Sequence, residues 1–142
     1  NGLGLMDDLQ TMRGRIVRNE ELCAVRMGDL DRFKKVNDRR GHLVGDNVLR
    51  TVAAVVLRSL RIDDGAYRYG GEEFVAFARV HSRREAMLVA ERIRAEVEGL
   101  AIPHPDNPPH DFVTVSIGVT VIGRADLIDT ADAWIGRADA AS

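Results

Sequence analysis

Residues Tyr67–Val80 read Y-R-Y-G-G-E-E-F-V-A-F-A-R-V. Two runs of strand-forming residues, 66–69 and 74–80, flank Gly70-Gly71, a pair that accepts the positive φ angles of a tight hairpin turn. The stretch is therefore predicted to be a β-hairpin turning at the two glycines. Glu72 and Glu73 follow at once. Adjacent carboxylates on a strand point to opposite faces unless the turn twists them, and an acidic tip by itself is an ordinary solvated turn. It becomes a metal site only if more acid reaches it from elsewhere in the chain.

Such acid lies upstream. The apolar run 22–27 ends in Gly28-Asp29-Leu30-Asp31-Arg32-Phe33-Lys34-Lys35-Val36-Asn37-Asp38, and a carboxylate at a strand end suits a hard-cation ligand. An EF-hand is excluded, because counting from Asp29 puts Lys34 where that loop needs Gly and Arg40 where it needs Glu. Gly41-His42-Leu43-Val44-Gly45-Asp46 extends the pattern. Together, D-x-D-x-F-K-x-x-N-D-x-x-G-H-x-x-G-D followed by R-Y-G-G-E-E-F resembles the GGDEF family, the diguanylate cyclases of bacterial signalling. Val115-Ser116-Ile117-Gly118-Val119 is similar to the family's late strand and Arg137-Ala138-Asp139 to its last helix, so the resemblance covers nearly the whole chain.

The resemblance implies a palm-like α/β fold and the condensation of two GTP into cyclic di-GMP and two pyrophosphates, with Mg²⁺ or Mn²⁺ as cofactor. The implied metal ligands are Asp29, the carbonyl of Leu30 and Glu72, hard oxygens of the kind Mg²⁺ prefers. Glu72 is also the implied proton acceptor, with Glu73 beside it as a second metal or base candidate, and Lys34 would set an ammonium against the phosphates. Asn37 and Asp46 hold the guanine positions; a carboxylate accepts from the base's N–H groups, and an amide can donate or accept. Phe33, His42, Gly70 and Gly71 complete the implied substrate set, the glycines, with Gly41 and Gly45, letting backbone approach the nucleotide. Arg68 is read as a strand residue.

Arg61 and Asp64, in the segment Arg61-Ile62-Asp63-Asp64 at a fixed offset before Gly70, match the family's inhibitory product site, with Arg92 as a second grip. An arginine fork can hold a phosphate or a guanine edge bidentately. Two departures stand out. Leu3, Asp7 and Asp8 occupy positions where Thr, Asn and Arg are expected, and the Lys and Arg that follow the family's last helix have no counterpart at Ala141-Ser142, which implies weaker GTP binding. The implied partners are GTP, cyclic di-GMP, a second copy of the chain in an at least transient homodimer, and an upstream sensory or regulatory domain.

Composition agrees with one domain: 142 residues, 45% apolar and 30% charged, are enough for a core. A net charge of -2 gives no basis for binding duplex nucleic acid. The single cysteine, Cys23, is read as a small core residue. No apolar stretch approaches the roughly 20 residues of a membrane helix and no signal peptide opens the sequence. A cytoplasmic location is expected, alone or as the cytoplasmic part of a membrane-anchored protein. The opening at Asn1 is read as that of a module excised from a longer protein.

Periodicity fills in the remaining elements. Leu5, Leu9, Met12, Ile16 and Val17 predict an amphipathic helix over 5–19. A strand over 21–28 leads through Asp29 to a helix carrying Phe33 and Val36, which Gly41 breaks, and a second helix over 46–61 buries Leu49, Val52, Val56 and Leu60. Ser82-Arg83-Arg84-Glu85 is a capping box opening a helix to Gly99 with the stripe Met87, Ala90, Ile93 and Val97. Residues 103–111 read as a loop in which His104 and His110 are surface residues. A strand over 112–120 and a helix from 126 follow. Ile-Gly-Arg-Ala-Asp occurs at 122 and 135, too short a period for a structural repeat. The order predicts an α/β sandwich with a mixed sheet.

Two other readings use the same residues. One is a GGDEF module that binds GTP or cyclic di-GMP without turnover; the other is a palm-fold nucleotidyl cyclase or polymerase with a different product. The undamaged signature disfavours the first, and Asn37 with Asp46 disfavours the second.

Overall fold

The computed structural model describes residues 2–62 and 64–141. Helix α1 (Gly2–Asn19) leads into β1 (Leu22–Leu30), α2 (Phe33–Arg40) and α3 (His42–Arg58). The hairpin β2 (Gly65–Arg68) and β3 (Glu73–Val80) follows, then α4 (Arg83–Gly99), β4 (Val115–Ile122), a 3₁₀ turn (Arg124–Ile128) and α5 (Ala131–Ala141). The strands form one sheet in the order β2-β3-β1-β4.

All three strand pairings are antiparallel, which corrects the expected mixed sheet. The α2–α3 and α4 crossovers do join strands that run the same way. In each case another strand is inserted between them, the split βαβ arrangement, so no parallel pair is hydrogen-bonded. The α/β class and the helix-flanked palm stand.

β1 lies at the centre and is buried from Cys23 to Gly28. Its odd-numbered residues Cys23, Val25 and Met27 face α1 and α5, where Leu5, Leu9, Met12, Ile16 and Trp134 close one core. Ala24 and Leu30 face the other layer, packed by α4 and by α2 and α3 respectively. Val17 is half exposed and falls off the α1 stripe. Arg13 fixes α1 to the C-terminal region: its guanidinium donates to the carbonyls of Leu127 and Asp129 and lies 4.8 Å from the centroid of the Trp134 ring. Trp134 donates in turn to Asp126 O at 3.2 Å.

Helix α3 starts at His42, one turn earlier than expected, and ends at Arg58; Gly41, at φ 86°, is the shared joint with α2. Its buried stripe is Val48, Val52, Val55 and Val56, with Leu49 only partly buried. On α4 the position expected for Met87 is taken by Ala86, which is fully buried beside Ala24 and Val80, while Met87 is 51% exposed. A small residue lets the helix approach the sheet closely. Ser82 caps α4 by accepting from Glu85 N at 3.1 Å, but Glu85 reaches back to the N–H of His81 and not of Ser82, so the box is only half closed. The two Ile-Gly-Arg-Ala-Asp segments take different conformations, strand end into 3₁₀ turn and helix. No helix among the described residues is long and apolar enough to cross a membrane.

Candidate active site

The antiparallel register brings the acids together. Asp29 lies opposite Glu73 on β3 and Ser116 on β4. Arg68 pairs with Phe74, and Tyr69 N donates to Glu73 O at 2.9 Å, so the hairpin loop between β2 and β3 spans Tyr69–Glu72. This is longer than a two-residue turn, and neither Gly70 nor Gly71 takes a positive φ. The glycines therefore do not supply the expected left-handed corner. Shape comes instead from Arg68, which is more than a strand residue: its Nη2 and Nε donate to Gly71 O at 2.6 and 3.1 Å. On the other side Leu30 N donates to Glu72 O at 3.4 Å, tying the loop to the end of β1.

Burial and neighbouring negative charge raise the Asp29 carboxyl from its ordinary value to about 6; desolvation acts most, followed by Glu72, Glu73, Asp31 and Asp139. Its Oδ1 is buried without a hydrogen-bond partner. An orphaned carboxylate oxygen crowded by other carboxylates is a site suited to a cation, and Asp29, Glu72 and the Leu30 carbonyl are the hard oxygens at hand. Among the described residues no three His, Cys, Asp or Glu side chains form a ready metal cage; Mg²⁺ commonly needs only one or two protein carboxylates, with substrate phosphates completing the shell.

Asp31 has a different use. Its carboxylate accepts from Thr114 Oγ1 and Ser116 Oγ, both at 2.6 Å, and Thr114 accepts from Asn107 at 2.9 Å. His104 corrects the surface reading: it is 2% exposed, with Nε2 at 3.2 Å from the carbonyls of both Asp31 and Arg32. Arg32 needs that support, having a left-handed φ of 54°. The 103–111 segment thus acts as a brace under the β1–α2 joint, and nothing in the local pattern around His104 indicated it. His110 is exposed, its ring 5.8 Å from that of Phe112.

The guanine candidates sit at the α2–α3 corner. Asn37 folds over Gly45, where a Cβ would lie 1.8 Å from Asn37 Oδ1 and 3.2 Å from Phe33 Cζ. Gly45 is thus required for Asn37 to stand beside the Asp46 position. Phe33 is buried in the core beneath this contact, so its part is to support the corner. His42 and Lys34 are exposed, and Lys34 has no hydrogen bond or ion pair with the described residues. Asp46, Leu30, Arg68, Gly71, Glu72, Glu73 and Phe74 line one cavity of about 390 Å³ between α3 and the hairpin. Asp46 of the guanine candidates and Leu30 and Glu72 of the metal candidates therefore open onto one space, whereas Asp29, Asn37, His42 and Lys34 do not line it.

The inhibitory-site candidates lie elsewhere. Asp64 accepts from Arg61 N at 2.9 Å and Arg79 N at 3.2 Å, and Arg61 Nη2 lies 3.2 Å from Glu85 Oε1. Arg92 is exposed two turns beyond Glu85 on α4, on the same stripe. Asp63 lies outside the described residues.

Comparison with known proteins agrees on the family and the fold. The family model described as diguanylate cyclase, GGDEF domain, matches residues 2–142. The chain is 43% identical over 113 residues to diguanylate cyclase DgcZ of Escherichia coli, covering 80% of this chain and 36% of that protein. It is 41% identical over 137 residues to diguanylate cyclase A of Treponema denticola, covering 96% and 36%. The GGDEF domain of DgcB from Caulobacter crescentus, solved in complex with c-di-GMP, superposes with a TM-score of 0.82 at 28% identity, covering 96% of this chain and 78% of that one. The chain belongs to the GGDEF domain family of diguanylate cyclases. It spans about a third of the length of these two curated relatives.

Proposed function

We propose that this domain is a diguanylate cyclase, joining two GTP into cyclic di-GMP and two pyrophosphates. The observation that carries the proposal is the single cavity onto which Asp46 and Glu72 both open, with the cation-seeking Asp29 at the same strand end. About 390 Å³ lies within the usual range of small-molecule sites. A bound Mg²⁺, held by Asp29, Glu72 and the Leu30 carbonyl, would neutralise triphosphate charge and polarise the α-phosphorus. Asn37 and Asp46 orient the guanine, which sets the sugar and phosphates toward the acid loop. Lys34 supplies mobile positive charge for the pyrophosphate leaving group. Glu72 accepts the proton of the attacking 3′-hydroxyl, and Glu73, opposite Asp29, supports either acid.

Each chain offers one such cavity, whereas the reaction makes two reciprocal phosphodiester bonds. Two copies related by a two-fold axis satisfy this, each 3′-hydroxyl reaching the other's α-phosphorus. Incubation with GTP and Mg²⁺ followed by chromatography tests the proposal: cyclic di-GMP is expected, and binding without product would make the domain a receptor. Specific activity is expected to rise with enzyme concentration, as measured by dilution at saturating GTP; a flat profile in a protein shown by sedimentation to be monomeric would exclude the paired mechanism. Asp46→Ala is expected to lower the preference for GTP over ATP by about 10-fold to 100-fold, since it removes a charged hydrogen-bond acceptor worth roughly 1.5–3 kcal/mol. Competition binding of the two nucleotides measures it.

A further inference from the structure

Gly28 immediately precedes Asp29 in the centre of the sheet, directly opposite Phe74 on β3 and Ile117 on β4. It is buried, and a Cβ built on it would lie 2.0 Å from Phe74 Cζ, 2.2 Å from Cε1 and 2.6 Å from Cε2. The Phe74 ring therefore occupies the space a side chain at position 28 would fill, a glycine–aromatic pair across neighbouring strands. Phe74 also lines the cavity shared by Asp46 and Glu72. One residue before it, Glu73 stands opposite Asp29. Arg68, paired to Phe74 from β2, grips Gly71. The row Arg68, Phe74, Gly28 thus runs across three strands directly beneath the acid loop.

We propose that Gly28 is a positioning residue for the nucleotide cavity: the notch it leaves is the seat of Phe74, and the seated ring keeps the cavity open below the acid loop. The inference rests on the reading of that cavity as the GTP site. A methyl group at position 28 cannot coexist with the seated ring. The ring packs against the core on one side and borders the cavity on the other, so its exit is on the cavity side, where it takes the space of the nucleotide. The effect then falls on binding, with both acids still present.

The test is a double-mutant cycle of Gly28→Ala and Phe74→Leu, read as the dissociation constant of a fluorescent GTP analogue with Mg²⁺. Gly28→Ala is expected to weaken binding at least tenfold and Phe74→Leu less than about threefold; the double variant should return to within about threefold of Phe74→Leu. A Gly28→Ala protein that binds within twofold of wild type, or a double variant as weak as Gly28→Ala, overturns the proposal. Should Gly28→Ala not fold, a double variant that folds and binds like Phe74→Leu supports the seat, and one that also fails to fold overturns it. Failure of the wild type itself to bind the analogue would overturn the GTP-site reading instead, and a wild type that binds without coupling would overturn only the role of Gly28.

Discussion

Replacing Asp29 by Asn, or Glu72 by Gln, is expected to lower cyclic di-GMP synthesis by about 10³-fold or more, an effect of about 4 kcal/mol on the barrier. Both changes are isosteric and neither touches the packed core, so the fold should persist. Without metal, Asp29→Asn should in fact melt higher than wild type at pH 7. The Asp29 carboxyl is raised to about 6 in the folded protein, so the native state binds its proton more tightly than the unfolded chain does. Its contribution to stability is then present below about pH 4 and is lost as pH rises toward 6. A neutral amide carries no such cost. Allowing for solvent screening of this partly exposed group, the gain is about 1 kcal/mol, or about 3–5 °C. Mg²⁺ should raise the melting temperature of wild type but not of Asp29→Asn. Retained synthesis in both variants would remove Asp29 and Glu72 from the metal site, and equal melting of wild type and Asp29→Asn with an equal Mg²⁺ response would remove Asp29.

The acids of the candidate site were legible as a cluster because they lie in short linear motifs, and a strand end or hairpin tip needs only local pattern to be recognised. Glu72, Glu73 and Asp29 are brought together by the β1–β3 register, which the hairpin and the central apolar strand already imply. The all-antiparallel sheet was not legible, because the positions of the crossover helices do not show which strand is inserted between those they join. Contacts that span long stretches of sequence were equally invisible. His104 braces Asp31 and Arg32 from some 70 residues away, and its neighbourhood of prolines reads as an ordinary loop. The displacement of Met87 by Ala86 turns on a one-residue rotation of α4 that helical periodicity leaves ambiguous, and the close approach to Ala24 resolves it.

Arg61→Ala is expected to weaken cyclic di-GMP binding outside the active site by about 10-fold to 100-fold, the range for loss of charged hydrogen bonds. Both Asp64 oxygens already accept backbone N–H groups, from Arg61 and from Arg79, so the turn that presents Arg61 is built before any ligand arrives. The Arg61 fork itself is paired with Glu85, which the N–H and Nδ1 of His81 hold in place at 2.8 and 2.9 Å. A phosphate or guanine edge must displace that carboxylate. An exposed ion pair contributes only about 0–1 kcal/mol, so displacement is easy, and Glu85→Gln should tighten binding by up to about fivefold. Arg92 lies two turns along the same face of α4 and is the expected second grip. Calorimetric titration of cyclic di-GMP, with the active site blocked by a non-hydrolysable GTP analogue, measures all three proteins. Equal binding by wild type and Arg61→Ala, or binding by neither, would remove product inhibition through this turn; unchanged binding by Glu85→Gln alone would show that its carboxylate swings aside at no cost.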